Sequence, residues 1–126
     1  MTEPPLKTVL VTDDGPQITH VIRVGLQRAG CRVIVAADGE SAIGCASAEQ
    51  VDLLILDIEL PDMTGFELLR QIRSKPGCAE MPVIFITGSG NPKNHAEAEE
   101  LGAAGFFTKP FSPTELHHRV KKVLSL

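Results

Sequence analysis

Five short apolar runs punctuate the chain, and each is followed by a stretch long enough for a helix. The runs lie at residues 8–11, 32–36, 53–56, 83–86 and 105–107 and read as strands. From Ile18 onward the apolar positions Ile18, Val21, Ile22, Leu26 and Ala29 fall at helical spacing, and Gly30 sits where a helix would stop. A second helix is predicted over 40–48, capped by Asp38, with Ile43 facing inward. Thr64 and Glu67 have the spacing of a capping box, with Phe66, Leu69 and Ile72 on one face of a third helix that ends near Ser74, before Pro76-Gly77. The fourth, about 92–101, carries Glu97, Glu99 and Glu100 and only a weak apolar stripe. In the last, Ser112 caps, Pro113 suits the first helical position, Glu115 completes the box, and Leu116, Val120, Val123 and Leu124 form the buried stripe.

Strand and helix alternate five times, which calls for an α/β fold: a parallel sheet with helices on both faces. Right-handed crossovers restrict the topology, and the common five-strand solution is the flavodoxin-like (βα)5 order 2-1-3-4-5.

Composition narrows the function. At 126 residues the chain fits one domain, 1–126, with a core of about 7–124. A net charge of −4 argues against a surface for a nucleic-acid backbone. Cys31, Cys45 and Cys78 are odd in number and outside any C-x-x-C pattern, so neither a disulfide framework nor a zinc site follows. His20, His95, His117 and His118 lack metal-ligand spacing and read as surface or boundary residues. The first seven residues lack the features of a signal peptide, and no apolar run approaches a membrane span, so a cytoplasmic protein without membrane attachment is expected.

Five polar residues close or directly follow apolar runs: Asp13, Asp14, Asp57, Thr87 and Lys109. In an open parallel sheet, ligands sit beyond the carboxyl ends of the strands where strand order reverses, here between the first and third. Three carboxylates gathered there repel one another, and a hard divalent ion such as Mg2+ relieves this while leaving coordination sites for water and a phosphate oxygen. Asp57 is then placed to act as an oxygen nucleophile. Lys109 supplies positive charge and Thr87 a hydroxyl donor, with backbone N–H groups around Ile58 and Gly88 completing a cradle.

These residues stand in segments that resemble, in order and at matching spacing, the motifs of the response-regulator receiver family, the CheY-like domains of two-component signalling. The segments are Val9 to Asp14, Leu53 to Gly65, Val83 to Gly88 and Gly102 to Phe111. The resemblance implies that Asp57 accepts a phosphoryl group from a phosphohistidine on a sensor histidine kinase or phosphotransfer protein. It implies that Mg2+ is bound by Asp13, Asp14, Asp57 and the Glu59 main-chain carbonyl, that Thr87 and Lys109 contact the phosphoryl oxygens, and that Lys109-Pro110 is cis. Thr87 and the aromatic at 106 would relay phosphorylation to the surface of the fourth helix, fifth strand and fifth helix. That surface would meet a downstream protein, the chain's own output domain or, on phosphorylation, a second copy.

Phe106 has no hydroxyl, so its inward state would rest on packing alone. Glu59 either influences water access and phosphoryl lifetime or points to solvent. Phe111 reads as the staple before the Ser112-capped helix. A degenerate receiver would lack an acidic residue, acceptor or lysine, and none is missing. An aspartyl-phosphate phosphatase would want a D-x-D nucleophile motif after the first strand, where the chain has Asp13-Asp14.

Overall fold

A computed structural model describes residues 6–126; residues 1–5, part of the start read as lacking a signal peptide, lie outside the described residues. The described residues form β1 (Thr8–Thr12), α1 (Pro16–Arg28), β2 (Arg32–Ala36), α2 (Gly39–Ala48), β3 (Leu53–Asp57), α3 (Gly65–Arg73), β4 (Val83–Thr87), α4 (Pro92–Glu100), β5 (Gly105–Thr108) and α5 (Pro113–Leu124). The strands pair in parallel in the order β2-β1-β3-β4-β5, as the alternation of the sequence requires. Four strands run one residue further than their apolar runs, which brings Thr12, Asp57, Thr87 and Thr108 into the sheet.

β1, β3 and β4 are buried at every position because helices cover both faces, and this explains why their sequences are continuously apolar rather than alternating. Successive side chains nonetheless part to opposite sides. Leu10, Leu54, Leu56, Val83 and Phe85 pack with Ala42 of α2 and Phe66, Leu68, Leu69 and Ile72 of α3. Val9, Val11, Leu53, Ile55, Ile84 and Ile86 pack with Ile22 and Leu26 of α1 and Leu116, Val120 and Leu124 of α5. Val21, which shares the helical spacing of that first stripe, is 44% exposed.

Each predicted cap is present. Asp38 accepts from the Ser41 N–H at 2.8 Å, Thr64 from Glu67 at 3.1 Å and Ser112 from Glu115 at 3.3 Å. α1 starts two residues before Ile18 because Pro16 occupies its first turn, where a missing N–H costs nothing. α4 has a cap that its weak stripe did not reveal: Asn91 accepts from the Asn94 N–H at 2.8 Å. Phe111 packs on the cluster that contains Leu116, as a staple requires, and its ring stands edge-on to Phe107. The four histidines are exposed or half-buried; His117 fits over Gly25 of α1, where a Cβ would run into its ring. No helix among the described residues is long and apolar enough to cross a membrane.

Candidate functional site

Strand order reverses between β1 and β3, so the crevice at their carboxyl ends is lined from both sides. Asp13 continues the ladder past β1 by donating its N–H to the Ala36 carbonyl at 3.1 Å, and its Oδ1 accepts from the Gly15 N–H at 2.7 Å, which fixes the turn into α1. Asp13 is buried and Asp14 beside it is exposed. Asp57 ends β3, 2% exposed. Its carboxylate is held on one side by the Glu59 N–H, 3.0 Å from Oδ1, and on the other by Lys109 Nζ, 3.0 Å from Oδ2. One carboxyl oxygen from each of Asp13, Asp14 and Asp57 falls within 4.8 Å of the others.

Lys109 bridges the acids, its Nζ lying 2.7 Å from Asp13 Oδ2 as well. Burial works against the ammonium, but hydrogen bonds and charge from Asp13 and Asp57 outweigh it and raise the Lys109 pKa. For Asp57 burial is the largest influence. It overcomes the hydrogen bonds from Lys109 and Glu59, and with repulsion from Asp13 pushes the carboxyl up to about 7. The Lys109 main chain is anchored by its N–H on the Thr87 carbonyl at 2.7 Å, and Lys109-Pro110 is cis.

Thr87 ends β4 fully buried, one residue past Ile86, the register partner of Asp57. Its hydroxyl lies 2.7 and 2.9 Å from the two carboxylate oxygens of Glu59, which is exposed as a residue but turns its carboxylate onto Thr87. Phe106 is half-buried in β5, 4.9 Å edge-on from the His95 ring of α4. The amides around Ile58 divide between two tasks. The Ile58 N–H is occupied by the Ile86 carbonyl at 3.0 Å as part of the sheet, and the amide that reaches the acceptor is that of Glu59. Gly88, by contrast, is exposed, and a Cβ there would meet nothing within 4 Å.

Gly65 entered the sequence reading only within a capping box and at the end of the Leu53 to Gly65 segment, with no role of its own. Its N–H donates to the Ile58 carbonyl at 2.8 Å, and a Cβ on it would collide with the main-chain carbonyl oxygen of Asp57. The start of α3 therefore rests on the backbone of the central acid. Asp62 was also missed: its carboxylate accepts from the N–H groups of Gly39 and Glu40, tying the loop after β3 to the start of α2. These contacts lower its pKa. Neither contact has a local signal, since each joins residues that only the fold brings together.

The model of the response regulator receiver domain matches residues 9–121. The chain belongs to that receiver family. It is 38% identical over 118 residues to the alkaline phosphatase synthesis transcriptional regulatory protein PhoP of Bacillus subtilis, covering 94% of this chain and 48% of that protein. It is 36% identical to the phosphate regulon transcriptional regulatory protein PhoB of Pseudomonas aeruginosa, covering 94% and 52%. The chain thus spans about half the length of these curated relatives. Among solved structures, the Vibrio cholerae chemotaxis protein CheY4 superposes with a TM-score of 0.87 at 33% identity, over 94% of this chain and 99% of that one.

This receiver's acidic crevice fits a divalent cation. Asp13 Oδ2 is buried, with the Lys109 ammonium 2.7 Å away. Three carboxyl groups converge within 4.8 Å of one another, two of them also on the Lys109 ammonium, and all the donors are oxygens, the set that Mg2+ prefers.

Proposed function

We propose that this receiver captures a phosphoryl group on Asp57 and uses the product to switch its binding surface. The observation that carries the reading is a carboxylate 2% exposed, held between an amide and an ammonium, with two further acids in reach of one ion. An Asp57 oxygen attacks phosphorus, the P–N bond of the donor phosphohistidine breaks, and its electron pair returns to the imidazole, which takes up a proton. Lys109 places positive charge where negative charge accumulates on the phosphoryl oxygens, and Thr87 offers a hydroxyl donor. Asp13, Asp14, Asp57 and the Glu59 main-chain carbonyl would hold Mg2+, which supplies screening between the acceptor carboxylate and the incoming anion.

The donor in this reading is a sensor histidine kinase or a phosphotransfer protein, and the chain, 1–126, is one receiver domain. It is a signalling switch whose only chemistry is its own phosphorylation and dephosphorylation. Thr87 and Phe106 would relay the change to the face of α4, β5 and α5, there to act on a downstream protein, an output domain or a second copy. The names of PhoP and PhoB, both transcriptional regulatory proteins, support an output in transcription.

Incubation with Mg2+ and a small-molecule phosphodonor should add the mass of one phosphoryl group to the intact protein, and Asp57→Asn should abolish the adduct. The absence of any adduct at saturating donor would falsify the reading.

A further inference from the structure

We infer that Glu59 is a latch on the switch threonine: its carboxylate holds the Thr87 hydroxyl in the resting state, and a phosphoryl group on Asp57 must win that hydroxyl from it. The inference rests on the phosphoacceptor reading above and adds a competitor to it.

The Thr87 hydroxyl has a single proton to donate. Both Glu59 oxygens lie closer to it, at 2.7 and 2.9 Å, than the Ser89 carbonyl at 3.2 Å, and a carboxylate is the stronger acceptor. Glu59 is positioned for this by its own backbone. Its N–H is fixed on Asp57 Oδ1 at 3.0 Å, and it forms an antiparallel bridge with Thr64 just before α3. The acceptor Asp57, at the end of β3, and the latch Glu59 are thus two residues apart and hydrogen-bonded to each other, and Thr87 enters from the neighbouring strand.

The latch also reaches α4. The Ser89 N–H donates to Thr87 Oγ1 at 3.0 Å, the Ser89 carbonyl accepts from Asn94 Nδ2 at 3.0 Å, and Asn91, the cap of α4, donates to Ser89 Oγ at 3.1 Å. Release of Thr87 from Glu59 therefore loosens a chain of hydrogen bonds that ends on the first turn of α4. Glu59 is a positioning residue: it acts on the phosphorylated state through Thr87 and biases the switch toward rest.

The test is a double-mutant cycle read by affinity for beryllofluoride, a phosphoryl mimic, with saturating Mg2+. Titrations followed by amide NMR suit a chain without Trp or Tyr. Glu59→Ala should tighten binding about tenfold, the factor set by one hydrogen bond to a charged group. Glu59→Gln, which keeps an acceptor without the charge, should tighten it by about threefold. In a Thr87→Ala background the Glu59→Ala change should fall below about twofold. Equal tightening with and without the Thr87 hydroxyl would show Glu59 acting by charge alone and overturn the latch, as would unchanged or weaker binding in Glu59→Ala. Failure of the unsubstituted protein to bind the mimic at all is a different result, and it removes the phosphoacceptor reading itself.

Discussion

Gly65 has no chemistry of its own, yet its substitution should disturb Asp57 more directly than any change outside the acidic crevice. Gly65→Ala forces a Cβ against the Asp57 carbonyl oxygen, a backbone atom at the end of a buried strand that has little room to retreat. Relief requires α3 to shift, at a cost of roughly 1–3 kcal/mol in stability by the usual scale of overpacking. Chemical denaturation should register that loss, and the rate of phosphoryl capture should fall with it as Asp57 moves. Asp57 itself gives a pH prediction. Burial holds its carboxyl at about 7, whereas an unfolded Asp titrates at 3.8. The folded protein therefore keeps a proton that the unfolded chain has lost, so metal-free stability falls as pH rises through this window. Mg2+ binding must expel that proton, and its affinity, followed by titration calorimetry, should fall about tenfold per pH unit below about 7 and level off above it. A flat affinity from acid to neutral pH would contradict the assignment of Asp57 as a ligand.

Among the helices, α4 buries the least. Ala98 is its one buried residue, against five in α3, a helix of the same nine residues. Beyond Ala98, α4 has the edge-on contact of His95 with Phe106 and a few polar ties. Arg70 pairs with Glu97 at 3.0 Å on the surface, a contact worth little by itself, and Arg73 reaches the Leu101 carbonyl just past its end and the Met81 carbonyl before β4. An element proposed to respond to Thr87 is expected to come from the low-stability end of the structure. Hydrogen exchange followed by mass spectrometry should show α4 amides exchanging well ahead of those of α3; equal protection would show that α4 is not the movable part. The weak stripe of Ala and Glu already showed in the sequence, because helix periodicity reports how much apolar surface an element can bury. Its Asn91 cap and the two Arg73 contacts did not, since capping by Asn is common in loops and the Arg73 partners are carbonyls set by the fold.

For the whole molecule, the sheet order and the grouping of Asp13, Asp14, Asp57 and Lys109 followed from strand ends, because a parallel sheet delivers every carboxyl end to one edge. Contacts made across the fold were less legible. Gly65 under Asp57, Asp62 on the start of α2 and Glu59 on Thr87 depend on how far each loop travels after its strand, and no spacing rule reports that. The same loops decide which amide around Ile58 meets the acceptor: Ile58 still donates to the sheet, and the chain leaves the ladder one residue later, at Glu59. The central claim is that Asp57 is the acceptor. It is tested most directly by treating the protein with Mg2+ and a small phosphodonor, reducing the product with borohydride and sequencing its peptides by mass spectrometry. An acyl phosphate at Asp57 predicts that this position is recovered as homoserine and that Asp13 and Asp14 remain unmodified. Reduction at Asp13 or Asp14, or at no aspartate in a protein that has gained the phosphoryl mass, would contradict it.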